Sequence, residues 1–242
     1  MVEEPSAKRP RGETSDQNSE VDDVQVPGQK LDYTKHLNEV DIHGKEKLDV
    51  VCTCNPDEDD EMINKIRMRV GGMYPRYIGV DVEYITEDEP PQRVAVLLLC
   101  VEELCLVYHI TGATKWPEGL RPLLKEERLY TFVSFSIGSD KRMLKESRLE
   151  INPDKYIDMQ SKWIVPFMGG KRFHSMVDVA CSMIHPFYKH MKYKIDGEED
   201  HKLLGISSLP DYLIKYVAID AYATYESWKR IENITIGLEC SK

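Results

Sequence analysis

The chain has 242 residues, 41% hydrophobic and 31% charged, enough for one sizeable buried core. Its formal net charge of −10 excludes a general attraction for nucleic acid, so any phosphate-binding surface must be a local patch. No apolar core follows the N-terminus in "MVEEPSAKRPRGETSDQNSE", and the longest apolar run, Val94 to Val101, is too short to span a bilayer, so no secretory leader and no membrane partner are expected.

Residues 1–35 are rich in Glu, Asp, Ser, Gln, Pro and Lys and are predicted to form a disordered tail, with residues 36–242 as one domain. Within the tail, Lys8, Arg9 and Arg11 make a compact basic cluster that reads equally as a solvated charge run or a short nuclear-import signal. The expected location is therefore nucleus, cytoplasm or both. "VDIHGKEKLDVVCTC" reads as two strands around a Gly-containing turn. "NPDEDDEMINKIRMRVGG" reads as a helix with Asn55 as N-cap, Pro56 at the first helical position and Gly71-Gly72 as its stop. The acids Asp57 to Asp60 crowd the positive end of that helix dipole and are read as its decoration, not as a metal site.

"YIGVDVEYI" is a strand of mostly aliphatic character that carries two carboxylates, and "RVAVLLLCV" and "LCLVYHI" follow as further strands. "PEGLRPLLKEERL" is predicted helical, leading into the apolar strand "LYTFVSFSI", which ends at Gly138. "KRMLKESRLEI" is again helical, a short strand is expected around "YIDMQ", and 174–193 has apolar residues at helical spacing. The last helix begins near "SSLPDYL", with Ser208 as N-cap and Pro210 in the first turn, and runs on through "IKYVAIDAYATYESWKRI". Strands first and strand–helix alternation later predict an α/β fold with a mixed sheet flanked by helices. The six cysteines, Cys52, Cys54, Cys100, Cys105, Cys181 and Cys240, lack zinc-site or disulfide spacing, and several sit in apolar surroundings as small core residues.

Three features bear chemistry. Asp81 and Glu83 alternate with apolar residues, so both leave one face of their strand, where oxygen-only ligation favours a hard cation such as Mg²⁺ or Mn²⁺. In an acidic chain, D-x-E also arises by chance. Asp140 sits where an apolar strand gives way to a helix, as a helix cap or as a carboxylate beside a sheet-borne metal. Tyr216 and Asp220, spaced i, i+4, share one helix face at the edge of a packed stripe formed by Leu213, Val217, Ala221 and Thr224.

In this order, "IGVDVEY", "FVSFSIGSD" followed by "KRML", and "YVAIDAYATYESW" resemble the motifs of the DEDD superfamily of 3′–5′ exonucleases. The Y-x-x-x-D-A-Y string is similar to the DEDDy branch, which includes ribonuclease D and the Werner-syndrome exonuclease domain; the sister branch would need a His where Lys215 stands. The resemblance covers roughly residues 38–238. It implies a ribonuclease H-like fold and a metal-dependent 3′–5′ exonuclease that acts on single-stranded RNA or DNA and releases nucleoside 5′-monophosphates. It also implies two Mg²⁺ or Mn²⁺ ions, with Asp81, Glu83 and Asp220 holding one, Asp81 and Asp140 the other, and Tyr216 orienting the attacking water. Lys141 and Arg142 beside Asp140, and Lys171 and Arg172 in the basic, aromatic stretch "GGKRFHSMVDVACSMIHPFYKHMKYK", are candidates for phosphate contact. The sequence departs from the family pattern in "VLLLC", at Val217 and in the acidic "DGEEDHKLLGISSLP". None of these removes a ligand, but they leave an inactive binding or scaffold module as a second reading. The oligomeric state is left open.

Overall fold

The computed structural model describes residues 31–44, 46–71, 76–85, 94–126, 129–136, 138–162, 172–193, 202–205 and 208–240, the side chains of 139–140, 191–193 and 238–240 excepted. Seven strands form one mixed sheet: β1 Thr34–Asp41, β2 Lys47–Thr53, β3 Tyr77–Tyr84, β4 Val94–Val101, β5 Leu104–His109, β6 Thr131–Ser134 and β7 Tyr156–Asp158. Their order is β1-β2-β5-β4-β3-β6-β7. The β3–β4, β4–β5 and β1–β2 pairs are antiparallel, whereas β2–β5, β3–β6 and β6–β7 are parallel. The helices are α1 Pro56–Gly71, α2 Gly138–Glu146, the single turn α3 Met159–Lys162, α4 Met176–Met183 and α5 Asp211–Cys240. The mixed α/β architecture read from the sequence is the one observed.

Every residue of β4 is buried, which explains its unbroken apolar run: a central strand covered on both faces has no polar side to alternate with. On one face lies α5, whose Ala218 carbonyl approaches the Cys105 Sγ. On the other lies α1, whose Asp59 faces Tyr108, a residue of opposite parity on the same strand. Among the described residues no helix is long and apolar enough to cross a membrane.

The local expectations hold where the chemistry is short-range. Asn55 caps α1, its Oδ1 accepting from Asp57 N at 2.9 Å. The β1–β2 turn closes on Gly44, with a φ of 77° and its N–H bonded to Asp41 Oδ1 at 2.6 Å. Cys52, Cys54, Cys100 and Cys105 are buried free thiols.

Several boundaries differ from expectation. Thr34 and Lys35, placed in the tail by composition, belong to β1; residues 1–30, with the basic cluster Lys8, Arg9 and Arg11, lie outside the described residues. β6 stops at Ser134 instead of Gly138, because Ser136 turns the backbone to a φ of 58° and Gly138 already starts α2. The 174–193 stretch breaks at Pro186, where α4 has ended and a 3₁₀ segment, Pro186–Tyr193, begins. α5 starts at Asp211, after Pro210, whose carbonyl accepts from Ile214 N at 3.1 Å; Ser208 lies before the cap position.

The acids at 57–60 are more than decoration of a dipole. Asp60 holds the turn before residue 120, accepting from Glu118 N at 3.0 Å and Gly119 N at 2.7 Å. Asp59 is fully buried, and neither carboxyl oxygen has a hydrogen-bond partner among the described residues. Burial, and then the charge of Asp60, push its pKa well above the ordinary 3.8, so the folded state keeps a proton that the unfolded chain releases. Stability therefore falls as pH rises above 3.8, because the folded state binds the extra proton. Asp59→Asn is accordingly expected to be more stable than the parent at pH 7, with the difference vanishing below pH 3.8, in urea denaturation followed by circular dichroism across that range.

Candidate metal centre

Gly79, Asp81 and Glu83 alternate along β3, so all three face the same side of the sheet. Across the ladder they stand opposite Cys100, Leu98 and Val96 of β4. This is the side covered by α5. The approach is closest at Gly79, where a Cβ would lie 2.8 Å from the Tyr225 Cβ and 3.0 Å from the Ala221 carbonyl oxygen. Two of the three nearest atoms are helix backbone, so a side chain there would move the helix. A glycine inside a strand is the sequence signal for such an approach, yet the sequence reading gave Gly79 no role.

Because α5 sits this close, Asp220, adjacent to Ala221, reaches the β3 carboxylates. One oxygen each from Asp81, Glu83 and Asp220 can be chosen so that all lie within 4.8 Å of one another. All three residues are half-buried at the rim of the core. Asp81 Oδ1 also accepts from the Val82 N–H at 2.9 Å, which fixes that carboxylate relative to its own strand. At this separation each pair of charges repels by roughly 3 kcal/mol at an effective dielectric near 20, before solvent screening. A divalent cation offsets that repulsion, and an all-oxygen set suits a hard ion such as Mg²⁺ or Mn²⁺. The donor chemistry and spacing therefore fit such an ion.

The start of α5 is fixed from the opposite edge of the sheet. His109 is fully buried, and burial lowers its pKa, so the ring is neutral. Its Nε2–H donates to the Leu204 carbonyl at 2.8 Å, leaving Nδ1 to accept from the Tyr33 hydroxyl at 2.8 Å. That hydroxyl accepts in turn from Leu209 N at 3.2 Å, and Lys35 Nζ bonds the Leu209 carbonyl at 2.7 Å. The chain entering α5 is thus tied to β1 and β5 before the helix crosses to β3.

Of the residues singled out from sequence, Asp81, Glu83 and Asp220 are brought together, and Tyr216 lies one turn before Asp220, half-buried against the core. Asp140 falls in the first turn of α2, next in chain order after β6, the strand that pairs with β3; its side chain is outside the described residues. Lys141 has its Nζ 5.0 Å from the Tyr156 ring centroid, a cation–π contact, and Arg142 is exposed beside it. Lys171 lies outside the described residues, and Arg172 is exposed ahead of α4. His185 follows α4, accepts from Phe187 N at 3.1 Å and stacks on His43.

This is a ribonuclease H-like α/β fold, and solved structures share it. The Nibbler EXO domain of Aedes aegypti superimposes with a TM-score of 0.58 at 12% identity, covering 77% of this chain and 88% of that one. The catalytic core of RRP6 from Trypanosoma brucei does so with a TM-score of 0.59 at 10% identity, covering 83% and 51%. Escherichia coli RNase D, an exoribonuclease involved in structured RNA processing, does so with a TM-score of 0.50 at 14% identity, covering 78% and 45%. The chain thus spans about half the length of the RRP6 and RNase D structures it matches. No protein-family model and no curated protein matches the chain by sequence. At these identities the likeness is one of fold.

Replacing the hydrogen at the contact between β3 and α5 tests this geometry directly. Gly79→Ala is expected to cost about 1–3 kcal/mol through overpacking against helix backbone, read as a lowered urea midpoint with unchanged slope.

Proposed function

We propose that the protein is a Mg²⁺- or Mn²⁺-dependent 3′–5′ exonuclease that removes nucleoside 5′-monophosphates from single-stranded RNA or DNA. The observation that supports this most is the convergence of Asp81, Glu83 and Asp220 within 4.8 Å, from a strand and a helix far apart in sequence. The fold it shares with the EXO domain of Nibbler, RRP6 and RNase D supports the same reading.

In this reading Asp81, Glu83 and Asp220 would hold one ion, and Asp81 with Asp140 would hold a second. Such ions, when bound, acidify a water and stabilise charge on the leaving oxygen. The chain's own residues do the rest. β3 presents two carboxylates on a rigid ledge, and α5 supplies the third at fixed height. Tyr216, one turn before Asp220 and braced on the core, would orient the attacking water. Lys141 and Arg142, just past Asp140, bind the phosphate next to that bond. The location proposed stays nucleus, cytoplasm or both, since the basic cluster at Lys8, Arg9 and Arg11 reads equally as a solvated charge run or an import signal.

Two measurements on the purified chain test the reading. In calorimetric titration with Mn²⁺, Asp220→Asn and Asp81→Asn are each expected to weaken binding by more than about tenfold, since even supporting residues of metal sites carry that much. With a 5′-labelled single strand and Mn²⁺, the parent is expected to shorten the strand stepwise from its 3′ end, and Tyr216→Phe to slow it by about a hundredfold or more. A folded parent that binds Mn²⁺ tightly yet leaves RNA and DNA strands intact would sink the enzymatic reading and favour the scaffold.

A further inference from the structure

On a chain of net charge −10, the charged residues that line two adjoining cavities are mainly cations. The cavities, of about 370 and 510 Å³, share Lys125, Lys145 and Glu150 in their lining. Five cations line them, Arg121 and Lys125 from one side and Lys141, Lys145 and Arg148 from α2 and its end; Glu150 is the single acid among the described lining residues. Lys141 and Lys145 are spaced i, i+4 on one face of α2, and Arg148 follows just past its end. Arg121 and Lys125 belong to the facing stretch, where a short π-helical turn runs Pro122–Glu126.

The trough lies at the carboxylate end of the sheet. α2 begins just after β6, and its far end is held by Ser147, whose Oγ accepts from Val94 N at 3.0 Å. Val94 pairs with Tyr84, next to Glu83. α2 therefore crosses the end of the sheet where β3 presents its acids.

Two features of the lining exceed what helix stability needs. Arg121 Nε is buried with no hydrogen-bond partner among the described residues, a donor left unsatisfied in the wall of a cavity. Arg148 occupies the left-handed position of a Schellman cap, with a φ of 58°, while Leu149 N bonds the Leu144 carbonyl at 2.8 Å and Arg148 N the Lys145 carbonyl at 2.9 Å. Glycine is the residue favoured there, so an arginine keeps its charge in the trough at a backbone cost. Tyr156 lines the trough as well, its ring under Lys141.

We propose that this trough between α2 and residues 121–125 binds the sugar–phosphate backbone of a single-stranded nucleic acid, starting at Lys141, next to Asp140 in sequence, and holding with Lys145, Arg148, Arg121 and Lys125 the nucleotides farther from the end being cut. Three cations on one wall and two on the other match a chain of phosphates better than one isolated anion. The nature of the ligand rests on the exonuclease reading; the existence of the anion trough does not.

The test is strand binding by the full chain in EDTA, where cleavage plays no part, followed by fluorescence anisotropy with labelled strands of about 5 and about 20 nucleotides. The parent is expected to bind the longer strand several-fold more tightly. Lys125→Gln with Lys145→Gln should remove that advantage and make log Kd against log salt shallower by about 0.7 per cation lost. Arg148→Gly separates charge from structure: relieving the left-handed backbone should keep or raise the melting temperature while binding still weakens. Lys65→Glu, on the remote surface of α1, should change nothing. Undiminished affinity and salt slope in both trough variants would overturn the proposal, as would tripolyphosphate competing as well as the longer strand. If the trough variants lose binding while the parent never cuts, the exonuclease reading fails and the trough stands. Cutting with binding untouched by the variants means the reverse.

Discussion

The contact that everything else depends on is the seating of α5 against β3 at Gly79. A 30-residue helix about 45 Å long is packed on a sheet, and where the two backbones meet there is room for a hydrogen and nothing larger. That closeness sets the height of Asp220 above the ledge of Asp81 and Glu83. The same helix buries Leu213, Val217, Ala218, Ala221 and Tyr225 in the core, so its position is determined by apolar packing that the acids themselves do not supply. Its first turn is fixed separately, through the hydrogen-bond chain from His109 and Tyr33 to Leu209. Two anchors, one polar from β5 and the start of β1 and one steric at β3, leave the helix little freedom to carry Asp220 away.

The molecule handles its acids in two contrasting ways. Asp59 is alone and fully buried, and desolvation favours its neutral form; a proton removes the charge. Asp81, Glu83 and Asp220 are grouped, half-exposed and mutually repulsive, an arrangement whose repulsion a divalent ion offsets. Packing energy from the surrounding core is what keeps such a group assembled, because each repulsive pair is small beside the burial of strands such as β4.

The charge distribution follows the same division. A net charge of −10 repels polyanions over most of the surface, so a nucleic-acid strand would be directed to a trough where cations outnumber acids five to one among the described lining residues. Local sign, not total charge, governs where a strand settles, and exposed charges a Debye length away are largely screened.

The α1 cap at Asn55, the Gly44 turn, the alternation that places Asp81 and Glu83 on one face and the Tyr216–Asp220 pairing on one helix face all follow from spacings of two to four residues, and the chain states them directly. The apolar run of β4 likewise announces a strand buried on both sides. What the sequence leaves open are relations across long separations. Gly79 looks like any strand glycine until Ala221 and Tyr225 lie against it, Asp59 looks like one more acid at a helix start until the sheet closes over it, and Lys125 shows no kinship with Lys145 until two helical stretches face each other. Periodicity reports which face of an element a residue occupies, because that is fixed by backbone geometry. It carries no information on which faces meet, because that is decided by the packing of the whole core.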